Sequence, residues 1–270
     1  MNPVYLHLGL GKAASTYLQY SFFPKLEGIE YLQRTRYFES PKIIPRLRKK
    51  SAVLVSREFD QQLEKECRWF TSEVPESRAI VVLRRHDGWI ASQYRRHIKN
   101  GSPLSFQEFF DPVNNAGLWK HKELEFYHKL EMLEEIFGSA PLVLFHEELK
   151  TDPWRFFDRI VEFTGATYQQ SRVDLNAVHR SYNEKQLKFI RAASGRWFPE
   201  PIQHEKVSWW SRRSRLWSCY AVLYSALLMP DRWTPDREKA LIEPEMLELI
   251  RVKWAEDWQR CRDYAAAQQP

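Results

Sequence analysis

Apolar residues fall into two alternating patterns along the first 165 positions of this chain. Short continuous runs occur at residues 4–8 (VYLHL), 52–55 (AVLV), 79–83 (AIVVL) and 142–145 (LVLF). Runs of this length predict strands buried on both faces, as in a parallel sheet. Stretches with apolar residues at helical spacing predict helices over residues 15–22, 60–70, 87–99, 118–137 and 153–163. Pro153 suits a first helical turn, and Gly165 a helix end. Strand and helix in alternation imply an α/β fold, a central parallel sheet flanked by helices.

Beyond Gly165 the strand signal fades. Helices are predicted over residues 183–193, 217–228 and 243–264. Trp254 and Trp258, four apart on the last of these, are expected to dock it onto the core. Neither a repeat nor a low-complexity linker interrupts the chain. The expectation is a single domain over 1–270, with an α/β core at 1–165 and a mainly helical C-terminal part at 166–270.

Composition narrows the picture a little. A hydrophobic content of 43% argues against a disordered tail. The net charge of +6 favours an anionic partner, whether a nucleotide, an acidic polymer or a membrane surface. Cys67, Cys219 and Cys261 are scattered, without CxxC or Cys/His spacing, so neither a disulfide framework nor a zinc site is indicated. The N-terminus lacks a leader pattern, and the most apolar segment, residues 217–229, is shorter than the roughly 20 residues of a spanning helix. A cytoplasmic protein is expected, with peripheral membrane contact left open.

Candidate chemistry begins between the first strand and the first helix, in Leu8-Gly9-Leu10-Gly11-Lys12-Ala13-Ala14-Ser15-Thr16. Two glycines allow a tight turn, and free N–H groups at a helix start attract an anion. Lys12 adds a cation, and Ser15 and Thr16 add hydroxyls. A Walker A loop of an ATP- or GTP-binding protein needs glycine where Leu6 stands and a Ser/Thr, for Mg²⁺, where Ala13 stands. Taken alone, the segment is either an anion site or a glycine-containing turn with an incidental lysine.

A second stretch, Arg84-Arg85-His86-Asp87 through Ser92-Gln93-Tyr94, leaves the third strand candidate. Its start is the carboxyl edge, where ligands bind in open α/β sheets. Arg84 and Ser92, eight positions apart, have the chemistry to hold a phosphate. Either residue alone reads equally well as a solvated surface group.

Together the two stretches resemble the sulfotransferases that use PAPS (3′-phosphoadenosine 5′-phosphosulfate). In that family Lys, two residues, then Ser/Thr-Ser/Thr binds the 5′-phosphosulfate, matched here by Lys12, Ser15 and Thr16. A strand ending in Arg, with Ser eight positions on and often Gln-Tyr after it, binds the 3′-phosphate; Arg84, Ser92, Gln93 and Tyr94 match. Val53–Glu58, Leu142–Lys150 with Asp152-Pro153, and Trp254–Trp258 are similar to the bacterial, carbohydrate-type branch. There are two departures. Ala14 stands where glycine is usual, acceptable if the backbone there avoids positive φ, and His86 stands where proline is common.

The resemblance implies a P-loop-NTPase-like α/β fold and transfer of a sulfuryl group from PAPS to an acceptor hydroxyl, with PAP, the desulfated nucleotide, as product and no metal. Gly11, Lys12, Ala13, Ala14, Ser15 and Thr16 would cradle the 5′ end, and Arg84 and Ser92 the 3′-phosphate. Transfer of this kind is an in-line displacement helped by positioning and charge stabilisation. Lys12 would stabilise the leaving phosphate. Glu58, in a Ser-x-Glu context, would take the proton of the acceptor, with His86 in reserve. Glu58 also reads as a charge at a helix start. Arginines interleaved with tryptophans at 195–217 fit a saccharide or glycolipid acceptor, or else a loop tucked into the helical layer; no nucleic-acid module is present. The alternatives are a P-loop-type kinase and a non-catalytic nucleotide- or polyanion-binding protein.

Overall fold

Five parallel strands build one sheet: β1 (Val4–Leu10), β2 (Ile29–Leu32), β3 (Ala52–Phe59), β4 (Ser77–Leu83) and β5 (Leu142–Phe145), in the order β2-β3-β1-β4-β5. The computed structural model describes residues 1–59, 61–176, 182–197 and 209–268, without the side chains of 209–212. Side chains alternate across the strands. Tyr5, Leu54, Ile80, Val82 and Leu144 share one apolar cluster with Phe22, Phe23, Phe156, Phe157 and Ile160. Leu6, Leu8, Val53, Val55, Val81, Leu83 and Val143 alternate with them and are also buried. Burial on both faces is why four strands read as continuous apolar runs. The fifth, β2, lies at the sheet edge, and its Ile-Glu-Tyr-Leu buries only Ile29 and Leu32. So short an alternation carries no run to detect.

Helices form largely where expected, and three of them differ most in their bounds. The predicted helix 118–137 starts at Phe126, because the Phe126 and Tyr127 N–H groups donate to the carboxylate of Asp257 at 3.1 and 3.2 Å. That cap comes from far along the chain, so no local signal marks it. The predicted helix 243–264 breaks at Trp254 into Pro244–Lys253 and Ala255–Ala267. As a result Trp258 packs on Phe145 while Trp254 packs on Phe110 and His121, so the pair does not dock one helix. The helix expected at 217–228 runs over Trp209–Leu228.

The others lie close to expectation: Leu63–Glu73, His86–Lys99, Pro153–Thr164 and Glu184–Trp197, with Asp60 outside the described residues. Asp152 caps the Arg155 N–H, and Gly165 ends that helix at φ 70.

The chain divides into two compact units. The first, Met1–Arg85, Glu125–His179 and Ala255–Pro270, contains the sheet; the second, His86–Leu124 and Arg180–Trp254, is built on helices. Cys67, Cys219 and Cys261 are buried and free.

Candidate functional site

β1 runs two residues further than its apolar pattern, to Leu10, so Gly9 is a strand residue and the turn falls on residues 11–14. The Ala13 N–H donates to the Leu10 carbonyl at 3.2 Å and closes the turn. Left-handed backbone occurs at Lys12 (φ 73) and Ala14 (φ 63), and at neither Gly9 nor Gly11. The condition that position 14 avoid positive φ is therefore not met. A side chain in this conformation costs roughly 1–2 kcal/mol, and such strain gathers at functional loops. Ala13, between the two, is fully buried in the apolar cluster. The Ala14 carbonyl accepts the Leu18 N–H at 3.1 Å, starting a helical run that is α over Ser15–Tyr17 and π over Leu18–Phe22.

Gly9 contributes a missing side chain. A Cβ there would stand 2.5 Å from Ser15 Oγ and 3.1 Å from Glu58 Cγ, so glycine lets both groups close on the strand. Ser15 is only 2% exposed, and its Oγ has no hydrogen-bond partner among the described residues. Leaving a buried hydroxyl unsatisfied costs about 1–3 kcal/mol, and an anion seated in the loop would satisfy it.

Register brings the next group in. Gly9 pairs with Glu58 on β3, next to β1 in the sheet. Thr16 Oγ1 donates to Glu58 Oε1 at 3.3 Å, and Arg34 Nη1 lies 3.8 Å from Glu58 Oε2. Arg34 opens the 3₁₀ turn Arg34–Glu39 that follows β2. It was not among the sequence candidates because β2 itself left no signal.

Arg84 is the first residue beyond β4, and its Nη1 donates to the Lys12 carbonyl oxygen at 3.2 Å. The carboxyl ends of β1, β3 and β4 thus bring Lys12, Glu58 and Arg84 to one edge, the ligand-binding edge of such sheets. His146 joins them as the first residue after β5. Burial first, then the charges of Arg84 and Lys150, lowers its pKa to about 4, so the imidazole is neutral near pH 7. The Arg85 N–H donates to Glu147 Oε1 at 3.1 Å and ties the ends of β4 and β5 together. The signal for His146 was its place directly after a recognised strand.

Ser92 is half-buried on the helix His86–Lys99 of the second unit. On the same helix His86 and Gln93 are buried, and the Tyr94 hydroxyl donates to the Leu104 carbonyl at 3.0 Å. Of the Arg/Trp-rich stretch at 195–217, residues 198–208 lie outside the described residues.

Polar side chains are also buried on β1 and on the helical run that follows the loop. His7 and Gln19 are fully buried, and neither His7 ring nitrogen nor either Gln19 amide atom has a partner among the described residues. Burial holds His7 neutral, its pKa lowered to about 3. Beside it on β3, Ser56 Oγ hydrogen-bonds the Tyr31 hydroxyl at 2.8 Å.

The fold is similar to that of a solved sulfotransferase from Alicyclobacillus acidocaldarius, with a TM-score of 0.51 over 75% of this chain and 98% of that one. The fold is a sulfotransferase fold. Sequence identity is 14%, so the likeness concerns backbone architecture. A mouse sulfotransferase, SULT7A1, solved in complex with PAP, is 16% identical over 72% of this chain and 63% of that one. Its TM-score of 0.34 adds nothing to the assignment. No family model and no curated protein matches the sequence.

Within the fold, the edge gathers two guanidinium groups, two hydroxyls and a carboxylate around a strained loop. That set has the chemistry to hold an oxyanion and to accept a proton beside it. It lacks the Walker A hydroxyl: position 13 is a buried alanine, and a side chain there points into the core. Among the described residues no group of three or more His, Cys, Asp or Glu could hold a metal ion.

Proposed function

We propose that the protein transfers a sulfuryl group from PAPS to an acceptor hydroxyl. The observation that carries this reading is the buried Ser15 hydroxyl, without a hydrogen-bond partner among the described residues, in a loop that also meets Glu58, through Thr16, and Arg84, through the Lys12 carbonyl. In this reading Gly11, Lys12, Ala13, Ala14, Ser15 and Thr16 hold the 5′-phosphosulfate, and Lys12 stabilises the charge that grows on the leaving phosphate. Arg84 and Ser92 take the 3′-phosphate, a role that rests on the sequence motif. Glu58 accepts the acceptor's proton, held in place by Thr16 and Arg34. Sulfuryl transfer asks for positioning and charge stabilisation rather than a covalent intermediate, and these residues supply both.

The acceptor class we infer is a saccharide or glycolipid hydroxyl, supported by the interleaved arginines and tryptophans of 195–217. A cytoplasmic site of action belongs to the same reading. A kinase of P-loop type is disfavoured by the burial of Ala13. Calorimetric titration with PAP, then incubation with labelled PAPS and a panel of hydroxyl acceptors, tests the proposal. It expects PAP to bind more tightly than ADP, which lacks the 3′-phosphate, and label to move without ATP or Mg²⁺. Binding of PAP without transfer to any acceptor would support a non-catalytic nucleotide-binding protein. Mg²⁺-dependent ATP turnover would support the kinase.

A further inference from the structure

Over residues 213–228 the helix Trp209–Leu228 is apolar on two opposite faces, and among the described residues only one of them is packed. Cys219, Leu223 and Ala226 are buried, and the helix packs against Glu184–Trp197 within the second unit. On the outward line stand Trp217, Ala221, Tyr224 and Leu228, spaced four, three and four apart, which places them along one side of a helix. Trp217 is 65% exposed, Tyr224 64% and Leu228 89%, with Leu227 beside them at 54%. Residues 216–229 contain no charged side chain. A helix surface facing water normally carries charge; one that does not marks a contact surface.

Charge identifies the occupant. Arg213, exposed, lies one turn before Trp217 on the same line, and the Lys99 ammonium sits 5.7 Å from the ring centre of Tyr220 at the border of the stripe. The helix has no acidic residue, and the chain carries +6 overall. An apolar band with tryptophan and tyrosine at its surface and cations at its edge is the chemistry of a helix lying in the headgroup layer of an anionic bilayer. No helix among the described residues is long and apolar enough to cross a membrane, so this one would lie along the surface. We infer that the outward face of this helix over residues 213–228 is a docking surface for anionic membranes, with Trp217, Tyr224 and Leu228 entering the apolar boundary and Arg213 and Lys99 meeting lipid phosphates. The inference does not depend on the reaction proposed above.

The test is sedimentation of the full chain with sucrose-loaded vesicles of phosphatidylcholine, alone or mixed with phosphatidylglycerol. The wild type partitions to the mixed vesicles and much less to phosphatidylcholine alone. Tyr224→Glu with Leu228→Glu lowers partitioning to the mixed vesicles by roughly tenfold or more. Both positions are exposed, so the melting temperature and helical circular dichroism stay as in the wild type, which separates lost docking from misfolding. Arg213→Glu removes the preference for anionic lipid and leaves the residual binding to phosphatidylcholine. The inference is overturned if the wild type ignores the mixed vesicles, or if the double variant still binds them fully. It is equally overturned if light scattering shows a wild-type dimer that the double variant breaks, since the stripe then covers a second copy of the chain.

Discussion

Replacing Ala14 by glycine should stabilise the protein, while the same replacement one residue earlier should weaken it. Ala14 sits at φ 63, where a Cβ costs roughly 1–2 kcal/mol. Glycine removes that cost but adds freedom to the unfolded chain worth about 0.5–1 kcal/mol. The net gain is roughly 0.5–1 kcal/mol. Ala13 does not have positive φ, and its methyl is fully buried. Glycine there loses burial worth about 0.8 kcal/mol together with the same backbone entropy, a net loss of roughly 1.5 kcal/mol. The two variants should thus differ by about 2 kcal/mol with opposite signs relative to wild type. Urea unfolding followed by far-ultraviolet circular dichroism reads this as midpoints moving apart at unchanged slope. If both midpoints fall together, the left-handed geometry at position 14 does not store strain, and the reasoning about the loop is wrong.

Lys12→Ala should lower kcat for sulfuryl transfer by on the order of 10²–10³, the scale of losing one preorganised charge stabiliser; near-normal turnover would remove Lys12 from the chemistry. Glu58→Gln should keep PAP affinity in calorimetry and lose transfer, whereas a parallel collapse of both would mark Glu58 as a structural anchor for Thr16. His7→Leu should flatten the dependence of stability on acid. The folded imidazole stays neutral down to about pH 3, while the unfolded one takes up a proton below about 6.5, so the wild type loses stability as pH falls through that window. The loss from this group approaches roughly 1.4 kcal/mol per pH unit, and an unchanged slope in the variant's urea midpoints between pH 6 and 4 would contradict it.

Four of the five strands were legible because each is buried on both faces and so forms an unbroken apolar run. β2, an edge strand of four residues, was not. Helix ends fixed locally were legible too: Pro153 and Gly165 bound a helix by their own backbone preferences. The start at Phe126 was not, since its cap is Asp257. The same division runs through the candidate site. Lys12, Ser15, Thr16 and Arg84 stood out from their spacing and from the strands they follow, and Glu58 from the family resemblance. The contacts among them, Thr16 to Glu58 and Arg84 to the Lys12 carbonyl, were not legible.

What the sequence determined by itself is therefore the periodicity of burial, and with it the sheet, the flanking helices and the edge on which polar side chains emerge. Only the tertiary structure decided that glycine at position 9 admits Ser15 and Glu58 to the strand. It alone put the left-handed backbone on Lys12 and Ala14 instead of the glycines, and brought Arg34 and His146 to the same edge. Those outcomes depend on strand order and register, which are set by contacts between residues far apart in the chain. A local pattern records how a residue meets its neighbours in sequence; it does not record which distant side chain occupies the space across from it.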